Sequence, residues 1–191
     1  MQKRILTCIA LTSLITAAAN AQSSPGEFSR KGLWEVYGFG QAQTIFNVFE
    51  SDAEIYGGGF GVGYNLSQHF TLNADFAISS VDWEHGLFSS WREEESNATL
   101  FMGHISADWN ILKYRVTPLV TVGLGLGAFS NGSGAALDQT VGVGVRWDAS
   151  DHLFLKAIIR GGAMETTSNV ELDSGNAWAT LGFSFALGYK F

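Results

Sequence analysis

The chain is poor in cysteine, proline, basic residues and long apolar runs, and each shortage excludes something. Its one cysteine, Cys8, lies ahead of a small-x-small site at Ala19-Asn20-Ala21. The chain beyond that site therefore can form no disulfide and offers no thiol chemistry. Cys8 is also too early in its segment to be a lipid-attachment site. No stretch reaches the ~18 consecutive apolar residues of a transmembrane helix, which excludes a helical membrane protein. Eleven Lys and Arg stand against eighteen Asp and Glu, a net charge of −7. A nucleic-acid partner is excluded on that balance, because a phosphate backbone wants a basic surface.

What is present begins with a leader. Lys3 and Arg4 open it, Ile5 to Ala18 is mostly apolar, and the small-x-small site follows. This is the three-part pattern of a secretory signal, expected to be removed after Ala21. Residues 22–31 then form a short N-terminal segment and residues 32–191 a single domain. Loss of Lys3 and Arg4 leaves nine basic against eighteen acidic groups, a net of −9.

The last segment, Asn176 to Phe191, carries the clearest pattern. One face is Ala177, Ala179, Leu181, Phe183, Phe185, Leu187, Tyr189 and Phe191; the other is Asn176, Trp178, Thr180, Gly182, Ser184, Ala186, Gly188 and Lys190. Strand side chains alternate with period two, so this strand is apolar on one side and small or polar on the other. A membrane-spanning β-barrel needs that arrangement. Seven more such segments precede it: Leu33–Ile45, Ile55–Leu66, Phe70–Asp82, Thr99–Ile111, Val116–Phe129, Thr140–Asp148 and Leu153–Ala163. Most match or exceed the ~9–11 residues a tilted strand needs to cross the hydrocarbon layer.

The connections alternate in length. Ser67-Gln68-His69, Asn110–Arg115 and Asp148–His152 are short. Phe46–Asp52, Trp83–Asn97, Asn131–Asp138 and Met164–Gly175 are longer and more polar. Short periplasmic turns and long outer loops are expected of an outer-membrane barrel. The reading is therefore an all-β, eight-stranded, antiparallel up-and-down transmembrane barrel, the smallest size whose interior is just filled by side chains.

Face assignments follow from bulk. Tyr56, Phe60, Val62, Tyr64 and Leu66 oppose Gly57, Gly59, Gly61 and Gly63; Val120, Val122, Leu124 and Leu126 oppose Gly123, Gly125 and Gly127; Val141, Val143, Val145 and Trp147 oppose Gly142, Gly144 and Arg146. The large groups are expected to face lipid and the glycines a narrow interior. None of these glycine runs opens a helix, so none reads as a phosphate-cradling loop. In the first strand Glu35, Gln41 and Gln43 share a face with Leu33, Tyr37 and Phe39, and that face is expected inward, since a carboxylate in lipid is the costlier arrangement. Aromatic girdles are expected at both rims: Tyr64, Phe70, Trp109, Trp147, Tyr189 and Phe191 on the periplasmic side, Phe46, Trp83, Phe129 and Trp178 on the outer side.

Inward positions also carry Asp75, His104, Asp108, Arg146, Lys156, Arg160 and Lys190. Charges at membrane depth normally pair with one another in an interior. They are expected to form a closed polar and ionic plug, with Asp75 across from His104 or Ser106, rather than an open pore; a narrow gated pore is the alternative. The longest loop holds Trp83, His85, Phe88, Trp91 and Arg92, followed by Glu93-Glu94-Glu95, and is the interaction candidate: exposed aromatics beside charges suit lipopolysaccharide, a host surface or a phage. No catalytic set, cofactor site or metal site is expected.

These features together resemble the small eight-stranded outer-membrane barrels, the group of the OmpA membrane domain, the OmpX/Ail-like surface proteins and the opacity proteins. The ending Leu187-Gly188-Tyr189-Lys190-Phe191 resembles the signal read by the barrel-insertion machinery, with Leu187, Tyr189 and Phe191 as its residues. The resemblance implies a monomer in the bacterial outer membrane with an envelope-structural or surface-interaction role, without the peptidoglycan-binding domain of full OmpA-type proteins. The loops look shorter than those of typical opacity adhesins. Barrels of this size host anchors, adhesins and enzymes alike. The rival reading is a lipid A-modifying acyl hydrolase or transferase: His104-Ile105-Ser106 is similar to the His-x-Ser of the lipid A deacylases, but lies on a face expected inward and without the surrounding residues. A soluble lipocalin-like carrier would need its large apolar residues inside, where the glycines stand.

Overall fold

The structure is a computed structural model and describes residues 28–46, 53–83, 98–130, 134–167 and 177–191. Eight strands run in chain order: β1 (Trp34–Phe46), β2 (Ala53–Asn65), β3 (Phe70–Trp83), β4 (Ala98–Asn110), β5 (Val116–Phe129), β6 (Ala135–Trp147), β7 (Leu153–Thr167) and β8 (Ala177–Lys190). Each pairs antiparallel with the next, and β8 pairs with β1, so the sheet is a closed barrel. Closure pairs the backbone groups of every strand and leaves no edge, the condition for placing a sheet in hydrocarbon.

Alternation sets the two surfaces. Phe60 (67 % exposed), Ile105, Leu126 and Phe185 stand outward with the other large apolar residues of their strands. Glu35 in β1 is buried, and Tyr37 and Gln41 share its inward face. Interior glycines make room for neighbouring rings. A Cβ added at Gly61, Gly125 or Gly188 would lie 2.5 Å from Tyr37 Cζ, His104 Nε2 or Phe154 Cε1 respectively. Each ring therefore lies across a glycine and fills a lumen too narrow for two side chains at one level.

The end that carries residues 33 and 191 is the base. Its turns 66–69 and 148–152 are built alike: Ser67 Oγ accepts from the N–H groups of His69 and Phe70, and Ser150 Oγ from those of His152 and Leu153. His69 Nδ1 pairs with the Asn110 carbonyl and His152 Nδ1 with that of Lys190, so each turn is tied to the end of the following hairpin. Around the base an outward ring of Trp34, Phe70, Trp109, Trp147, Tyr189 and Phe191 is about half exposed. Phe70 stacks on Trp109 (6.5 Å, 12°) and Trp34 tilts on Tyr64 (4.9 Å).

The far end departs from the sequence reading in three ways. Strand β6 starts at Ala135 rather than Thr140, and β7 runs to Thr167 rather than Ala163. Asp138 and Met164, expected in loops, are therefore buried strand residues. The inward parity of Thr140 simply continues back through Asp138 and Ala136 (1 % exposed). Trp83 is likewise the last residue of β3, not a loop residue. Finally, Trp178 does not join an outer girdle. Its parity in β8 is inward, and it is buried with Ile45, Ile55, Val81, Leu100, Met102 and Met164; Phe129, also expected in that girdle, packs against them instead. The far end of the lumen is thus an apolar plug that directly adjoins the polar filling, Asp138 standing opposite Met164 in the β6–β7 register.

Candidate functional site

Most of the interior charge gathers near the base. Arg146 in β6 donates through Nη1 and Nη2 to Glu35 in β1 (3.2 and 2.5 Å), and Nη2 also reaches Asp148 (3.0 Å). Glu35 accepts a third bond from Asn65 Nδ2 (2.7 Å). Lys156, paired with Arg146 in the β6–β7 register, reaches across to Asp108 in β4 (2.8 Å) and lies 3.8 Å from Glu35. Lys190 donates to Asp148 (2.6 Å). Three cations, Arg146, Lys156 and Lys190, thus meet three carboxylates, Glu35, Asp108 and Asp148, all buried. Burial at this depth is tolerated because each charge has an opposite partner and hydrogen bonds to complete it. Arg146 also sits over the Phe154 ring (4.6 Å), and Lys156 over Tyr37 (5.2 Å).

Asp148 lies beyond the end of β6. Burial opposes its ionisation, but the charges of Arg146 and Arg30 more than offset that and hold its pKa below the ordinary 3.8. Arg30, before β1, donates through Nε to the same carboxylate (2.7 Å). Burial pulls its guanidinium below the ordinary value, with Asp148 opposing.

The middle of the barrel is less completely paired. Asp75 faces His104 across the β3–β4 register, with Nδ1 3.6 Å from Oδ1. His104 Nε2 lies 3.0 Å from Asp138 in β6. Asp75 Oδ1, His104 Nδ1, Asp138 Oδ1 and Arg160 Nε have no hydrogen-bond partner. Two small cavities, of about 20 and 10 Å³, border this group, and Arg160 and Ser184 line both. Each has room for about one water molecule. Ser106, close in sequence to His104, instead accepts from Asn73 Nδ2 (3.4 Å).

Of the residues singled out by sequence, the structure brings Asp108, Arg146 and Lys156 into the base network and Asp75 and His104 into the middle group. Arg160 lines the cavities, and none of the ion pairs among the described residues includes it. Leu187, Tyr189 and Phe191 stand outward, and the Phe191 backbone exchanges two hydrogen bonds with Trp34 (2.9 and 3.0 Å). His85, Phe88, Trp91 and Arg92 lie outside the described residues. Arg30, Asp138 and Asp148 are interior groups that strand periodicity does not place. Their signal was weak, because each sits at or beyond an expected strand end. Among the described residues no group of His, Cys, Asp or Glu converges on a metal site.

The comparisons agree with this architecture. A family profile, "Outer membrane protein beta-barrel domain", matches residues 7–191. No curated protein matches the chain significantly. The solved structure of Neisserial surface protein A is similar at 13 % identity and a TM-score of 0.58, over 84 % of this chain and 100 % of that one. OprG of Pseudomonas aeruginosa is similar at 12 % identity and a TM-score of 0.53, over 85 % and 97 %. At these identities the likeness shows the fold alone. The closed eight-stranded barrel with its apolar outer surface is a transmembrane barrel of the bacterial outer membrane, and the chain belongs to the outer-membrane protein β-barrel domain family.

Proposed function

We propose that this barrel acts through its outer loops, as an envelope-structural or surface-interaction protein, and that it is neither a catalyst nor an open pore. The observation that carries the reading is a lumen closed at two levels: the ionic network near the base and the apolar plug around Trp178 at the far end. A side-chain-filled interior leaves the loops as the part of the molecule that meets other molecules. The long connections hold Glu50, Asp52, Glu84, Glu93, Glu94, Glu95, Glu171 and Asp173, with Arg92 their one Lys or Arg. The aromatic and charged residues Trp83, His85, Phe88, Trp91 and Arg92 are the proposed contacts with lipopolysaccharide or with a host or phage surface. Leu187, Tyr189 and Phe191 are the proposed signal to the insertion machinery.

A lipid A hydrolase reading finds little support. An acyl-transfer serine needs a base within hydrogen-bond reach. Both ring nitrogens of His104 face carboxylates instead, and Ser106 Oγ accepts from Asn73.

The test compares the parent with a variant carrying Trp83→Ala, His85→Ala, Phe88→Ala, Trp91→Ala and Arg92→Ala in cells lacking the native gene. Binding of lipopolysaccharide and of host cells is measured, together with detergent sensitivity. The reading expects normal barrel assembly and a loss in at least one readout. Unchanged behaviour in all of them, or lipid A deacylation abolished by Ser106→Ala, would overturn it.

A further inference from the structure

The base of the barrel is covered by the chain's own N-terminal segment. Arg30 is fully buried and touches all three base turns: its N–H donates to Gln68 Oε1 (2.9 Å), Nη1 to the Gln68 carbonyl (3.3 Å), Nη2 to the Tyr114 carbonyl (2.5 Å) and Nε to Asp148. Gln68 Nε2 returns a bond to the Phe28 carbonyl (3.0 Å). The Phe28 ring is surrounded by three cations, Arg30, Arg115 and Lys190, at 4.9, 5.0 and 4.6 Å. Gly32, at φ +83°, turns the chain from this cover into β1, and its N–H bonds the Asn65 carbonyl (2.8 Å).

The charge balance distinguishes this segment from the network above it. Arg146, Lys156 and Lys190 already match Glu35, Asp108 and Asp148 one for one. Arg30 is a fourth cation, attached to a carboxylate that Arg146 and Lys190 already engage. Arg30 alone of these four cations comes from outside the strands, and the acceptors that hold it lie on three separate turns. Charge-assisted acceptors that converge from separate turns on one guanidinium form a seat specific for it.

We propose that the periplasmic floor is a binding seat for an aromatic-x-arginine segment, filled in cis by Phe28-Ser29-Arg30, which stoppers the polar lumen against the periplasm. Two cations of the seat, Arg115 and Lys190, meet the ring, and carbonyl and carboxylate acceptors meet the guanidinium, which itself packs on the ring. With the seat vacated, water and small solutes enter the lower lumen, and the apolar plug still closes the outer end.

A single cysteine tests this cleanly, because the chain beyond the leader has none. Thr117 is fully buried beside Arg146 in the β5–β6 register. In purified barrel carrying Thr117→Cys, the rate of modification by a small water-soluble methanethiosulfonate is compared with and without Arg30→Ala or, separately, Phe28→Ala. Retained heat-modifiable gel mobility confirms folding in each case. The expected result is a rate at least about tenfold higher in the Arg30→Ala background, which equals about 1.4 kcal/mol of lost protection. A smaller rise is expected with Phe28→Ala. Millimolar acetyl-Phe-Ser-Arg-amide should slow the reaction again in the Arg30→Ala background, while acetyl-Ala-Ser-Ala-amide should not. Equal rates in all folded variants, or no protection by the Phe-Ser-Arg peptide, would overturn the proposal.

Discussion

Glu35→Ala is the perturbation that most sharply probes the interior. Glu35 accepts two bonds from Arg146 and one from Asn65, with Lys156 at 3.8 Å. Its removal leaves Arg146 with Asp148 alone, a carboxylate already shared with Arg30 and Lys190. Removing one partner of a buried pair costs about 3–5 kcal/mol, because the other charge stays buried without compensation. The two bonds lost from Arg146, at about 1.5–3 kcal/mol each, give about 3–6 kcal/mol, which overlaps that range. The double variant Glu35→Leu/Arg146→Met removes both charges and should recover about half of the loss or more, since apolar replacement of a buried pair is often neutral. Asp138→Asn, at a carboxylate with one oxygen unpartnered, should cost less than about 2 kcal/mol. Equilibrium urea unfolding in phospholipid vesicles, followed by tryptophan fluorescence and gel mobility, measures all three. If Glu35→Ala assembles and lies within about 1 kcal/mol of the parent, the pairing argument fails.

Three further outcomes follow from named contacts. Gly125→Ala should destabilise by about 1–3 kcal/mol, because its Cβ would meet the His104 ring at 2.5 Å, whereas Gly103→Ala, with nothing nearer than 4.0 Å, should be neutral or slightly stabilising; the same unfolding assay separates them. Trp178→Ala should cost about 3–5 kcal/mol by opening the apolar plug, and an unchanged urea midpoint would show that the plug is not packed as described. Asp148 has a folded pKa below its unfolded one, so its contribution is complete above the ordinary carboxylate value of 3.8 and is lost as pH falls below that. The urea midpoint should therefore drop below about pH 4, and less steeply in Asp148→Asn; equal slopes would remove Asp148 from the acid response.

The barrel was legible because each strand must solve the same problem. Runs such as Tyr56–Leu66 and Val120–Leu126 put bulk on one side and glycine on the other, which fixes both fold and face. Glu35 could be turned inward from elementary solvation cost alone. Strand ends were harder. Ala135-Ala136-Leu137-Asp138 follows a glycine- and serine-rich stretch and carries little contrast between its faces, so Asp138 read as loop. Trp178 read as a girdle residue because an aromatic near a strand end usually faces the interface, but parity decides the matter. The cover over the base was out of reach, since no periodicity links Arg30 to Asp148 across 118 residues.

The most direct test of the account is conductance of the purified full chain in a planar lipid bilayer. A lumen closed by an ionic network at one level and by an apolar plug at the other predicts a silent membrane at both polarities. Reproducible ohmic steps from the parent protein would contradict it and would make transport, rather than the outer loops, the function of this barrel.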